Sequence, residues 1–242
     1  MTDITQQTLA GIVTNDHRAA LVLEKYNLDF CCKGKRTLAA ACTEKGLSSE
    51  GIVKELEEAA GPANSRQMPF NEMTAEQLIS HILVNHHFYV KQIMPQIYTH
   101  LERVAVKHGD RFPEMKAVFG LFAEVMEEMT AHMQKEEMIL FPGIKEAERA
   151  FVHKEKGNTT SCFINGAVDM MEAEHDQAGE ILYAIRELTH HYGEPEGACT
   201  TFKLSLAELK AFEEDLHQHV HLENNILFPM AKGFVAAGQE QG

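Results

Sequence analysis

His132-Met133-Gln134-Lys135-Glu136-Glu137-Met138-Ile139-Leu140-Phe141-Pro142 and His219-Val220-His221-Leu222-Glu223-Asn224-Asn225-Ile226-Leu227-Phe228-Pro229 are one phrase written twice, 87 residues apart. Both read H-x-x-x-E-x-x-I-L-F-P. On a helix, residues i and i+4 share one face about 6 Å apart, so each phrase offers an imidazole and a carboxylate to the same side. The Ile-Leu-Phe run supplies apolar surface, and the proline after it reads as a helix stop. An isolated H-x-x-x-E is commonplace and serves equally well as a surface ion pair. The duplication is what gives this pattern weight.

Two further histidines complete the repeat. His87 precedes His132 by 45 residues, and His175 precedes His219 by 44. The near-equal intervals describe a duplicated helical hairpin whose halves are related by a pseudo-twofold axis. Across that axis the two carboxylate-bearing helices converge, and His87, His132, Glu136, His175, His219 and Glu223 become one candidate metal site. With both carboxylates bridging, each of two ions receives two nitrogens and two oxygens. A bridging oxide or hydroxide brings each to five ligands and leaves an octahedral ion one open position. Mixed nitrogen and oxygen donors without thiolate point to iron or manganese. Histidine outnumbers glutamate two to one, unlike the carboxylate-rich Glu-x-x-His sites of ferritin-like bundles, so ligand binding or redox work is favoured over ferroxidase chemistry. His86 competes with its neighbour His87 for the first ligand position; the symmetry of spacing favours His87. His81, His217 and His221 read as supporting or surface groups, as do Glu137, Glu172, Glu174 and Asp176.

Working outward, four long helical patterns carry these residues. The first opens at Thr74, with Glu76 in its first turn, and runs to about Leu101. The second follows Pro113 and ends near Phe141-Pro142-Gly143. The third spans Phe163 to His191, closed by Gly193 and Pro195, and the fourth runs from Thr200 to Phe228-Pro229. Each is about 40 Å long at 1.5 Å per residue, which is bundle length. No stretch alternates with period 2, so the fold class is all-α. Residues 73–235 form the bundle, 61–72 a linker rich in Gly, Pro, Asn and Ser, and 1–60 a small helical domain. That domain reads as three short helices, opening at Asn15-Asp16, Thr37 and Ser48-Ser49-Glu50, around the loop from Asp29 to Lys35. Its core is too small to stand alone, so it is expected to lean on a partner.

Composition narrows the function. The 242 residues carry a net charge of −14 without a run of Lys or Arg, which argues against nucleic acid and anionic membranes as partners. No apolar stretch reaches the roughly 20 residues of a membrane span, and the N-terminus lacks the build of a signal peptide, so the expected location is cytoplasmic. Five irregularly spaced cysteines make a poor disulfide framework. Adjacent Cys31 and Cys32, flanked by Lys33, Lys35 and Arg36, suit thiols of lowered pKa with redox or metal chemistry; a cysteine pair in a small domain is also commonly buried filler.

Asn15-Asp16-His17, Leu28-Asp29-Phe30-Cys31-Cys32-Lys33-Gly34-Lys35 and Thr37-Leu38 resemble the small N-terminal domain of the ScdA/YtfE family of iron–sulfur cluster repair proteins. The two repeated phrases, together with Met171-Glu172-Ala173-Glu174-His175-Asp176, resemble that family's hemerythrin-like domain. The resemblance covers nearly the whole chain and implies a hemerythrin-like up-down four-helix bundle. It implies two Fe ions per chain, oxo- or hydroxo-bridged, on His87, His132, Glu136, His175, His219 and Glu223. Cys31 and Cys32 are the hallmark of the N-terminal domain. The implied protein is a homodimer that acts on proteins whose Fe–S clusters were damaged by nitric oxide or peroxide, by supplying iron or handling NO. Asn85-His86-His87 departs from the family pattern in being a double histidine. The alternatives are a hemerythrin-like protein that binds or senses NO or O2, and a di-iron NO reductase.

Overall fold

Threonines cap three of the helix starts. In the computed structural model, which describes residues 3–60, 70–154 and 161–240 (side chains 163–238 in the last stretch), the N-terminal unit holds α1 (Leu9–Asn15), α2 (Ala19–Lys25), α3 (Leu38–Lys45) and α4 (Ser49–Ala60). Thr8 caps α1 by accepting from the Gly11 N–H, and Thr37 caps α3 by accepting from the Ala40 N–H. The sequence reading gives three helices here and misses α1, which the Thr8 cap opens. Thr8 and Thr37 also form an isolated antiparallel bridge, and no strand occurs among the described residues.

The bundle begins with α5 (Ala75–Ile82), where Thr74 and Gln77 make a reciprocal capping box. A π-helical turn, Leu83–His87, joins it to α6 (Phe88–His108). The second rod is α7 (Glu114–Lys135), a π-turn Glu136–Leu140, and α8 (Phe141–His153). The third is α9 (Ser161–Leu188), and the fourth is α10 (Thr200–Leu222), a π-turn Glu223–Leu227, and α11 (Phe228–Glu240). Helix α6 packs against α7 and α10, and α7 packs against α9. The expected linker at 61–72 lies outside the described residues except for a short 3₁₀ turn, Phe70–Glu72.

Pro142 and Pro229 do not stop their helices. In each rod the preceding π-turn has already left the i→i−4 ladder: the Phe141 N–H bonds the Glu136 carbonyl and the Phe228 N–H bonds the Glu223 carbonyl. Each proline therefore falls in the first turn of a new helix, where a missing N–H costs little. Rods two and four run on to His153 and Glu240, past the ends read from the sequence.

The interior is two apolar clusters separated by a polar layer. One holds Phe122, Phe212, Met133 and Val220 together with Leu9, Leu23, Phe30 and Leu38 of the N-terminal unit. The other holds Ile82, Phe141, Ile144, Leu227 and Phe228. Because the first cluster spans both units, the partner on which the small domain leans is the bundle of its own chain. Polar links reinforce the contact: His217 Nδ1 meets Glu24 at 2.5 Å, and Arg186 donates to Asn27 at 2.8 Å.

Candidate metal centre

His87, His132, Glu136, His175, His219 and Glu223 make up the layer between the clusters, each at most 2% exposed. Rods one, two and four each deliver residues to it through a π-turn: His87 closes one, and Glu136 and Glu223 open the other two. The wider turn re-aims a side chain without ending the helix, which is why π-turns gather at functional sites. His175 comes from the uninterrupted α9.

The donors fall into two groups, His87 with His219 and His132 with His175, and both groups contain Glu136 and Glu223. His87 Nε2 lies 3.1 Å from His219 Nε2, and His132 Nε2 lies 2.9 Å from His175 Nε2. Glu136 Oε2 stands 3.4 Å from His87 Nε2 and 3.3 Å from His132 Nε2, equally placed towards both groups. Glu223 divides its oxygens: Oε1 lies 3.0 Å from His219 and Oε2 3.2 Å from His175.

Leftover polar atoms decide whether cations belong here. Both carboxylates are fully buried, yet among the described residues neither oxygen of Glu136, nor Oε2 of Glu223, finds a hydrogen-bond partner. Two unneutralised buried carboxylates are very costly. The imidazoles point the same way. His87 Nδ1 donates to Glu137 at 2.7 Å, His132 Nδ1 to Glu174 at 2.8 Å and His175 Nδ1 to Asn224 Oδ1 at 2.8 Å. A neutral ring with its proton on Nδ1 turns a lone pair outward at Nε2, so lone pairs face one another at about 3 Å unless a cation lies among them. Four nitrogens and two carboxylates fit a pair of cations with mixed nitrogen and oxygen preference.

Without metal, protons substitute. Burial pushes the His87 imidazole down, but the close approach and negative charge of Glu136 and Glu223 outweigh it and raise it to about 10. Burial likewise opposes charge on His132, and Glu136 overrides it, raising that group to about 9. Burial favours a neutral Glu223 carboxyl, yet His219 and its neighbours hold it well below the ordinary carboxylate range.

The structure separates His87 from its rival. His86 turns away, stacks flat on the His219 ring (centroids 5.6 Å, 9°) and meets Asp215 Oδ1 at 3.0 Å. The repeat is visible in the packing as well: Phe141 stacks on His87 and Phe228 on His175. Glu137 and Glu174 carry the Nδ1 contacts of His87 and His132, while Glu172 pairs with Lys232 and Asp176 is exposed. Asn224 is the contact that the sequence reading misses; its position matches that of Glu137 in the other phrase, and the repeat could have revealed it.

Cys31 and Cys32 lie outside this layer and form a second group with Asp29. Asp29 Oδ1 accepts the N–H groups of Cys31, Cys32 and Lys33 and faces the Cys31 thiol at 3.2 Å. The thiol of Cys31 is raised well above its usual range, by the contact with Cys32 first and by burial second. The expected lowering by Lys33, Lys35 and Arg36 does not reach Cys31: its thiol faces the Asp29 carboxylate and Cys32, and Arg36 is paired with Glu44. No disulfide joins Cys31 to Cys32.

Residues 78–231 match the hemerythrin HHE cation binding domain, and residues 5–60 match the ScdA N-terminal domain, described as a domain of unknown function (DUF542). The chain is 34% identical over 225 residues to the iron-sulfur cluster repair protein YtfE of Shigella boydii serotype 4, covering 93% of this chain and 96% of that protein. Identity to the proteins of the same name from Cronobacter sakazakii and Escherichia coli is 35% and 33%, with the same coverage. With both of its domains matched and a third of its residues identical over nearly its whole length, the chain belongs to the YtfE family of hemerythrin-domain proteins with an ScdA-type N-terminal domain.

Proposed function

We propose that this chain repairs iron–sulfur clusters damaged by nitrosative or oxidative stress, using two iron ions per chain held by His87, His132, Glu136, His175, His219 and Glu223. The observation that supports the reading is the sharing of Glu136 and Glu223 between the two donor groups, the arrangement expected of a site for two adjacent cations. The name of the relatives supplies the repair role. When bound, such an ion pair supplies one-electron chemistry and open coordination positions for a small ligand. The protein's own part is to fix and shelter the donors. Glu137, Glu174 and Asn224 hold three imidazoles in one tautomer and orientation. Phe141 and Phe228 cover two of the rings and keep water from them.

Cys31 and Cys32 are proposed as further participants once their loop opens, since the docked Cys31 thiol is buried and stays protonated. The proposed setting is a cytoplasmic homodimer acting on proteins with damaged clusters; no helix among the described residues is long and apolar enough to cross a membrane. Two nitrogens and two oxygens per ion leave room for NO or O2, which favours ligand binding, sensing or NO reduction as the second reading.

Metal content and the visible spectrum of freshly purified protein, before and after NO, test the site. Two irons per chain with an absorption that NO alters is the expected result; one zinc, or no metal, overturns it. Restored activity of an NO-damaged iron–sulfur enzyme supports repair, whereas steady conversion of NO to N2O supports the second reading.

A further inference from the structure

The duplicated hairpin allows the two halves of the site to be compared position by position. His132 corresponds to His219, His87 to His175, Glu137 to Asn224, and Glu174 to His86. The donors are the same in both halves; the groups behind them are not. His87 Nδ1 rests on the carboxylate of Glu137, itself paired with Lys91 at 2.6 Å. His132 Nδ1 rests on the carboxylate of Glu174, itself paired with Lys135. His175 Nδ1 rests on the neutral amide of Asn224. His219 Nδ1 is buried and has no hydrogen-bond partner among the described residues. The residue at the position of Glu174 is His86, and it lies flat on the His219 ring with its own Nδ1 committed to Asp215.

A carboxylate behind an imidazole fixes the ring and makes Nε2 a stronger donor; an amide fixes the ring without adding charge; a stacked ring does neither for Nδ1. The group of His132 and His175 therefore has a carboxylate and an amide behind it, and the group of His87 and His219 has one carboxylate alone. Losing one such partner typically costs 10–100-fold in metal affinity.

Resting on the di-iron reading above, we propose that the two metal positions are unequal, that the ion at His87 and His219 is the exchangeable one, and that His86 is the positioning residue that makes it so. The ion at His132 and His175 stays as a fixed member. A centre built this way gives up one iron and keeps the other, so the bundle retains a bound cation beside Glu136 and Glu223 and can be refilled.

The test is iron release. Protein loaded anaerobically with Fe(II), its iron content measured, is mixed with excess coloured ferrous chelator. Two phases are expected, one iron each, with rates about 10-fold or more apart. His86→Glu places an acceptor where Glu174 stands in the other half and should slow the fast phase about 10-fold while leaving the slow one. His86→Gln provides a neutral acceptor should the charge prevent folding, with helix content checked by circular dichroism. Glu174→Ala should speed the slow phase and leave the fast phase alone. Release of both irons in a single phase overturns the proposal, as does a fast phase that neither His86 variant changes. Fewer than two irons per chain at the start sinks the di-iron reading itself, a separate result from the same sample.

Discussion

The side-chain amide of Asn225 donates to the main-chain carbonyl of Cys31 at 3.0 Å, and to that of Phe30 at 3.3 Å. Asn225 sits in the π-turn opened by Glu223, two residues beyond that carboxylate. It continues a stripe on α10 that faces the N-terminal unit: His217 meets Glu24, His221 meets Thr14 and the Phe30 ring, and Asn225 holds the cysteine loop. The metal stripe, His219 and Glu223, is offset from it by two residues, about 200° around the helix. One helix thus serves the candidate metal layer with one face and the domain interface with the other.

Asn225→Ala should loosen the cysteine loop. Removing the amide leaves two carbonyls without their donor, a loss of about 1–2 kcal/mol that makes the open loop roughly 5–30-fold more populated. The rate of Cys31 alkylation, followed by mass spectrometry with exposed Cys199 as internal reference, should rise by that factor. An unchanged rate would show that the loop is held by its apolar contacts instead.

The stripe also shows what sequence could and could not reveal. That the six candidate ligands meet in one buried layer is legible because two copies of one phrase constrain each other, and because i and i+4 share a helix face wherever the helix ends. His217 and His221 fall on the opposite face of the helix by the same spacing, but nothing local says what that face meets until the small domain is in place. Pro142 and Pro229 misled for a related reason: a proline is a stop only in an intact i→i−4 ladder, and nothing local in Glu-Glu-Met-Ile-Leu or Glu-Asn-Asn-Ile-Leu announces a π-turn. Gly34, Thr8 and the docking of the small domain depend on contacts far apart in the chain, which periodicity does not report.

Glu136→Ala combined with Glu223→Ala should abolish the paired site. Each remaining group would keep two imidazoles and no carboxylate. Metal analysis should find fewer than two irons per chain, with helix content retained. Two irons kept by the double variant would mean the ions are held elsewhere.

Gly34→Ala tests the docking of the loop from the other side. A Cβ at Gly34 would stand 2.1 Å from the Phe30 carbonyl oxygen and 2.8 Å from the Ala10 side chain, and backbone must move to admit it. The Gly34 carbonyl also accepts from the Ala10 N–H at 2.9 Å, so the start of α1 moves too. Overpacking of this kind costs about 1–3 kcal/mol. The expected outcome is a lower Tm and faster Cys31 alkylation with iron content unchanged. A Tm equal to that of the parent would show that the loop has room to spare.

Metal uptake should be coupled to proton release, and the metal-free protein should respond to pH in a defined direction. His87 and His132 are raised above their ordinary value of 6.5, to about 10 and about 9. A group raised on folding contributes stability that is complete below its unfolded pKa and is lost as pH climbs through its folded one. Metal-free protein should therefore lose stability from about pH 7 towards pH 10. Near pH 7.5 both imidazoles hold protons that an incoming cation must displace, so loading should release about two protons per chain. Calorimetric titration of metal into buffers of different ionisation enthalpy measures that number directly. Loading that releases no proton would mean that Glu136 and Glu223 do not hold those imidazoles in their charged form.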